Sequence, residues 1–212
     1  PVEFTAGYVS HGFINGVIPS DDNFDGNLSY QLVESEWKGG VGKIWIERNL
    51  GSTGAVKNVD DDSGYRAGWY FQFNRQQGYY HDGSTRVPSN SFEEVDKNSD
   101  WDIDNDPCWA AFGGDWRIPT QNEWAAFINA PSSDGGMQNG DRNDAFNSLL
   151  RLHAAGALDS SGDGIARGDY GYYWSSDQSN DTQSPLFFMT NSGSGITDAS
   201  KSGATPVRCV KD

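Results

Sequence analysis

The sequence predicts an α+β domain that combines a mostly antiparallel sheet with two helices and long loops. Short apolar segments bounded by Gly, Asn, Asp and Ser recur along the chain, as expected of strands joined by polar turns. One stretch near the middle carries a helix-capping signal followed by apolar residues at helical spacing. The length of 212 residues, with 13% aromatic residues, is sufficient for a buried core.

The strand predictions follow from short alternating or continuous apolar runs. Residues 2–33 mix small apolar pieces with Gly, Asn and Asp, which predicts short strands and turns. In residues 41–46 apolar side chains occur at both alternating positions, which is typical of a central strand. Residues 51–106 predict long loops interrupted by an aromatic block at 68–73. Further strands are predicted at 172–174, 186–189 and 207–210.

Two segments have helical signatures. Thr120 and Glu123 have the spacing of a capping box, and Trp124, Phe127 and Ile128 then lie on one helical face. A second helical pattern starts at residue 144 and meets a glycine at position 156, and periodicity alone does not locate where it ends.

The acidic balance of the chain limits its partners. With 15 Lys and Arg against 30 Asp and Glu, the formal net charge is -15, which repels phosphate backbones and anionic lipid surfaces. No apolar run approaches the ~20 residues of a membrane-spanning helix. We therefore expect neither nucleic-acid binding nor membrane insertion by this domain.

The two cysteines, Cys108 and Cys209, are 101 positions apart, too far for a local metal knuckle or a CxxC redox motif. They are either two inert buried thiols or one long-range disulfide. A disulfide closing so long a loop would stabilise the fold by about 4 to 5 kcal/mol, and it would persist in an exported protein. We favour the disulfide.

Three segments carry a resemblance to a known family. They are KIWIERNLG at 43–51; DPC at 106–108 with GDWRIPT at 114–120 and Glu123-Trp124; and AAG at 154–156 with GYYWSS at 171–176, ending in VRCVKD at 207–212. In this order they resemble the Fibrobacter succinogenes major paralogous domain family, which is abundant in Bacteroidetes. The resemblance covers residues 43–212.

The resemblance implies a C-type-lectin-like fold, related to formylglycine-generating enzymes and to retroelement variable proteins. It implies a lectin-like domain over residues 41–212, with residues 1–40 as an extension or as extra strands of the same domain. It also implies export, often as a lipoprotein or surface protein, and a ligand-binding face made by the C-terminal loops. Finally, it favours a strand over residues 152–156 in place of a continued helix.

The aromatic residues divide into framework and candidate ligand contacts. Trp116, Trp124 and Trp174 occupy positions flanked by capping or strand signals, so we predict that they pack in the core. Trp69 and Tyr70 lie in looser sequence, which predicts partial exposure and a role in stacking against a sugar.

Short polar side chains of the C-terminal segment are the other predicted ligand contacts. On anchored loops, such donors and acceptors suit a polar ligand, although the same composition also fits ordinary solvated loops. The predicted residues are Asp177, Ser179, Asn180, Asp181, Asn191, Ser192, Ser194, Thr197, Asp198 and Lys201.

Metal and catalytic motifs are weak. The acidic runs at 102–106 and 159–164 lack the offsets of an EF-hand, so we expect no cofactor while leaving a structural calcium open. The histidines His11, His81 and His153 have no metal-ligand spacing, and no nucleophile motif is present. The chemistry of the formylglycine-generating relatives needs two nearby reactive cysteines and does not carry over.

These observations predict a non-catalytic, adhesin-like surface domain that binds a glycan or a protein through its C-terminal loops. Two alternatives remain. One is a structural subunit of a surface complex or pilus tip that uses residues 1–40 as its contact. The other is a glycan-active hydrolase, since a carboxylate pair in one acidic chain is defined by its spatial separation and not by a sequence motif.

Overall fold

The structure is a computed structural model that describes residues 8–12, 27–40, 42–93, 95 and 98–212. The strands are β1 (Tyr8–Gly12), β2 (Asn27–Ser35), β3 (Lys43–Ile46), β4 (Tyr70–Gln72), β5 (Gly78–His81), β6 (Arg86–Val87), β7 (Ala157–Leu158), β8 (Gly164–Ile165), β9 (Gly171–Trp174), β10 (Gln183–Thr190), β11 (Gly193–Ser200), β12 (Ala204–Pro206) and β13 (Val210–Lys211). The helices are α1 (Gly64–Ala67), α2 (Pro107–Phe112), α3 (Gln121–Asn129) and α4 (Arg142–Asn147).

The strands form three sheets, in the orders β1-β2-β3-β13, β11-β10-β9 and β6-β5-β4-β12-β7-β8. All of their pairings are antiparallel. The predicted α+β class with mostly antiparallel sheet is therefore confirmed. Among the described residues there are four helices and not two, because α1 and α2 span only four and six residues and show no helical period in the sequence.

The first sheet joins the beginning and the end of the chain. Its strand β3 lies between β2 and β13, with Trp45 opposite Val33 on one side and Val210 on the other. The central strand predicted at 41–46 is thus present from residue 43, and residue 41 lies outside the described residues. Strands β1 and β2 belong to the same sheet, whereas the predictions for residues 2–7 and 13–26 lie outside the described part of the chain.

Two neighbouring apolar clusters form most of the core. One surrounds the segment of α2 and includes Trp116 and Trp174, and the other packs α3 against the β9–β10 face through Trp124. The rings of Trp124 and Phe187 stack with centroids 5.2 Å apart. The predicted core positions of all three tryptophans are confirmed, with exposed fractions of 5%, 0% and 1% for Trp116, Trp124 and Trp174.

Helix α3 has the predicted capping box. The Thr120 hydroxyl accepts from the Glu123 backbone N–H, and the Glu123 carboxylate accepts from the Thr120 N–H. The second predicted helix is shorter than its pattern, since α4 ends at Asn147. The strand expected over 152–156 is wrong, because this segment is irregular between positive φ angles at Arg151 and Gly156, and β7 starts only at residue 157.

A disulfide joins Cys108 to Cys209, whose Cα atoms are 5.5 Å apart. Cys108 lies in the first turn of α2, and Cys209 directly precedes β13. Both are fully buried. The Asp106 carboxylate caps α2 by accepting from the Cys108 and Trp109 N–H groups, and it also accepts from Ile118 N–H. The bond therefore fastens the terminal strand to the segment before α3.

Residues 51–106 are more ordered than the predicted long loops. They contain α1 and the strands β4, β5 and β6. These strands pair with one another, and segments this short carry no sequence pattern that predicts such pairing. The sheet that they build with β12, β7 and β8 is strongly curled, like half of a barrel. In the described part of the chain, no helix is long and apolar enough to span a membrane.

Candidate functional site

The predicted ligand contacts of the C-terminal segment lie at two ends of one hairpin. Strands β10 and β11 pair from Gln183 opposite Ser200 to Thr190 opposite Gly193. Asn191 and Ser192 form the turn and Ser194 follows it, whereas the remaining predicted contacts lie at or toward the open end. Seven strand intervals separate the two ends by about 23 Å. The predicted residues therefore do not form one site.

Strand β11 corrects the expectation that all of these residues lie on loops. Ser194, Thr197 and Asp198 are strand residues, with Thr197 opposite Leu186 and Asp198 opposite Pro185. The Ser194 hydroxyl donates to the Gly140 carbonyl at 2.7 Å, which connects β11 to the loop before α4. Thr197 and Asp198 are exposed.

The open end of the hairpin brings several predicted residues together, and we call residues 177–181 with 197–201 the polar end. The Ser179 hydroxyl donates to the Asp198 carboxylate. The side-chain oxygen of Asn180 accepts from the N–H groups of Thr182 and Gln183 at 3.0 and 3.1 Å. The Asp177 carboxylate accepts from the N–H of Gln121 at the start of α3. The polar end is thus held by its own hydrogen bonds, with Ser179, Asn180, Asp181 and Asp198 exposed.

Lys201 belongs to the polar end but is buried beneath it. Its Nζ donates to the Gln178 side-chain oxygen at 3.3 Å and lies 4.7 Å from the centroid of the Phe73 ring. Burial lowers the pKa of the Lys201 ammonium group. The stem and head of Lys201 support the loop from below, and its predicted role as a ligand contact stays a prediction.

A surface cleft of about 350 Å³, the main cleft, opens beside the polar end. Strands from two sheets form it, because β7, β8 and β12 of the curled sheet face β9 and the open end of the β10–β11 hairpin. The apolar lining is Ala157, Leu158, Ile165, Tyr172, Trp174, Leu186, Ala199 and Ala204. The polar lining is Asp159, Ser160, Ser200, Ser202 and Thr205, with Gly203 between them.

Tyr172 supplies the accessible aromatic surface of the main cleft, and Tyr170 lies next to it. Tyr172 is half-buried, and the ring of Tyr170 lies edge-on to it with centroids 6.2 Å apart. Tyr170 is 40% exposed and Ile165 43% exposed. Burial raises the pKa of Tyr172, and its hydroxyl group can both donate and accept a hydrogen bond. Sequence reasoning missed both tyrosines, although Tyr172 alternates with the buried Tyr173 along β9.

Trp69 and Tyr70, the aromatic residues predicted to stack on a ligand, are buried at 5% and 1% exposure, so the expectation of partial exposure is wrong. The Tyr70 hydroxyl donates to the Ala155 carbonyl at 2.6 Å and accepts from Arg167 Nε at 3.1 Å. Trp69 packs against Gly51, where a Cβ would lie 1.9 Å from the indole ring. Both residues hold β4 and its neighbouring loops together.

In the acidic loops, carboxylates accept hydrogen bonds from nearby backbone N–H groups. Asp102 accepts from Asp104 N–H, and Asp159 accepts from Ser161 and Asp163 N–H at 2.8 and 3.1 Å. Across the described residues, no group of three or more His, Cys, Asp or Glu side chains is arranged to hold a metal ion. The structure thus supplies a turn-forming role for these residues, and the expectation about cofactors stays a prediction.

Comparison of the sequence with protein-family models and with curated proteins gives no match. The geometry that bears on function is that of the main cleft. It is open, its body is apolar, one wall is aromatic, and its rim continues into the hydrogen-bonded polar end.

Proposed function

We propose that this chain is a non-catalytic ligand-binding domain that holds its ligand in the main cleft and against the polar end. The observation that carries this proposal is the composition of the cleft. Binding sites for small molecules are typically concave and mostly apolar, with a few placed polar groups that fix orientation. The main cleft has an apolar floor of Leu158, Trp174 and Leu186, and hydroxyls of Ser200 and Ser202 at its edge.

Of the two predicted ligand classes, a glycan fits the cleft better than a protein loop. A sugar ring has one face of C–H groups and a rim of hydroxyls, which matches an aromatic and aliphatic wall with hydroxyl side chains beside it. Tyr172 and Ile165 supply that wall. Asp198 precedes the cleft-lining residue Ala199 on β11 and accepts a hydrogen bond from Ser179, and we propose that it and Asn180 contact further units of a chain that leaves the cleft.

A C-type-lectin-like fold and an exported location are part of the same proposal. The chain ends in the strands β9 to β13, and the loop between β11 and β12 borders the cleft through Ser202 and Gly203, which supports the binding face that the family resemblance implies. The Cys108–Cys209 disulfide supports export, because disulfides persist in oxidising compartments.

The test is a glycan array probed with the purified domain, with calcium and with a chelator. We expect a specific signal that Ser200→Tyr abolishes by filling the cleft, and that Asn180→Ala or Asp198→Ala weakens. Tyr65→Ala is the matched control, since Tyr65 is an exposed tyrosine on α1 outside the cleft. Loss of the signal in chelator would assign an ion to the site. A silent array with a folded domain, or a signal that survives Ser200→Tyr, contradicts the proposal.

A further inference from the structure

The curled six-stranded sheet brings its two outer strands to face each other. Strands β6 and β8 are at opposite ends of the hydrogen-bonded order, yet residues around both line a single cleft of about 210 Å³. In the described part of the chain β6 pairs only with β5 and β8 only with β7, so no ladder closes this junction. We call it the seam cleft, and its lining residues are His81, Ser84, Thr85, Arg86, Ser89, Ser161, Gly162 and Asp163.

Two glycines allow the two sides of the seam to approach. A Cβ on Gly162 would lie 1.5 Å from Arg86 Nη1, and Gly162 has a φ of +83°. A Cβ on Gly164 would lie 3.0 Å from the His81 ring. Any other residue at position 162 would displace the Arg86 guanidinium, so the glycine is what permits a charged side chain to line the cleft.

The side chain of Arg86 lies at the seam, and two of its nitrogens lack a hydrogen-bond partner among the described residues. Its guanidinium carbon is 4.4 Å from the centroid of Phe92 and 5.2 Å from that of Tyr79, so the group is held in place by two aromatic rings. Nη2 donates to the Asn90 carbonyl at 2.9 Å. Nε and Nη1 are buried and have no hydrogen-bond partner among the described residues. Buried donors without acceptors are costly, so an acceptor oxygen that reached them would stabilise this arrangement.

The remaining lining is polar and its charges balance. Opposite the Arg86 cation stands the exposed Asp163 carboxylate, and the two do not form an ion pair. His81 Nδ1 accepts from Gly83 N–H at 3.1 Å, and burial together with the nearby Arg167 lowers the pKa of the imidazole. Four hydroxyl side chains complete the lining: Ser84, Thr85, Ser89 and Ser161.

We propose that the seam cleft is a second binding site, separate from the main cleft, for a neutral polyhydroxylated ligand of monosaccharide size. A hydroxyl oxygen of such a ligand accepts from Arg86, and its hydroxyl hydrogens donate to Asp163. Because the cleft carries one positive and one negative side chain, an anion or a cation gains attraction from one of them and loses it to the other. A hydroxyl group can satisfy both partners because it donates and accepts.

The experiment is a titration followed by two-dimensional amide NMR. The probes are the methyl glycosides of glucose, galactose and mannose, and N-acetylglucosamine, with sodium sulfate and sodium acetate as anionic probes at matched ionic strength. We expect at least one sugar to shift the amide signals of His81, Gly162, Asp163 and Gly164 saturably. The expected dissociation constant is millimolar, as is usual for a ligand of this size.

Variants assign the contacts. Asp163→Ala removes an exposed carboxylate without touching the core, and Arg86→Lys keeps the charge while losing the planar fork. Each should weaken sugar binding at the seam at least fivefold, whereas Asp115→Ala, an exposed aspartate outside the cleft, should not. The Tyr172 amide reports the main cleft separately, so a failure there is distinguishable.

Three results would overturn the proposal. The first is the absence of shifts at the seam with every sugar up to solubility. The second is saturable shifts with sulfate or acetate alone, which would make the seam an anion site. The third is sugar binding that is unchanged in Asp163→Ala with the fold intact.

Discussion

Acidification should destabilise this protein through a single buried histidine. His153 is 1% exposed, and neither ring nitrogen has a hydrogen-bond partner among the described residues. Burial lowers the pKa of the imidazole to about 3, and the positive charges of Arg208 and Arg167 act in the same direction, while Asp61 opposes them. The folded protein therefore holds this ring neutral, whereas in the unfolded chain it titrates with an ordinary pKa of about 6.5.

Proton linkage gives the sign and the size of this change in the free energy of unfolding. Because the folded pKa is below the unfolded one, the unfolded state binds the proton first as the pH falls through about 6.5. Stability is lost across the window from there down to about 3. Between pH 7 and pH 4 this one group lowers the free energy of unfolding by about 3 kcal/mol. The value at pH 4 is set mainly by the unfolded pKa, because the folded ring is still largely neutral there.

The assay is urea unfolding followed by tryptophan fluorescence at pH 7, 6, 5 and 4, with the disulfide intact. His153→Gln, which cannot titrate, is the comparison. Asp106 works in the opposite direction, since burial raises its pKa to about 6 and the folded state gains that proton first, but it is present in both proteins and cancels. We expect the wild type to lose about 3 kcal/mol more than the variant over this range. Equal losses in both proteins would refute the reasoning.

Three further predictions concern the framework. Replacing Cys108 and Cys209 by serine should lower the free energy of unfolding by about 4 to 5 kcal/mol, since the bond closes a loop of about 100 residues; urea unfolding of both proteins checks this, and an unchanged midpoint contradicts it. Asp106→Asn leaves one buried N–H facing an amide donor and should cost about 1 to 3 kcal/mol in the same assay. Thr120→Ala removes the α3 cap and should cost about 1 kcal/mol in thermal unfolding, against Thr85→Ala as an exposed control.

Features with a local cause could be predicted from the sequence. The capping box of α3 is complete within four residues, so its signal does not depend on the rest of the fold. Apolar residues around Trp45 occupy both alternating positions, which predicts a strand that is covered on both faces. Trp116, Trp124 and Trp174 are predicted as core because their flanking elements are themselves predictable.

Strand β11 shows why the rest could not be predicted. Its sequence, GSGITDAS, contains one large apolar residue, so it has neither the alternation nor the β-branched content of a strand. This segment forms a strand because it pairs with β10 along its whole length. The two-residue turn at 191 and 192 sets the register of the pair. Residues predicted as loop contacts were therefore placed along a strand, and the predicted site was divided between its ends.

The two proposed sites share one short turn, residues 159–163, which contains two of the acidic residues of the sequence. Residues 159–163 join β7 to β8, and the Asp159 carboxylate fixes them by accepting the Ser161 and Asp163 N–H groups. Asp159 and Ser160 line the main cleft, whereas Ser161, Gly162 and Asp163 line the seam cleft. The sequence leaves a structural calcium open for this acidic loop, and in the structure its first carboxylate, Asp159, holds the turn that divides the clefts. Both clefts therefore have this one turn as part of their lining.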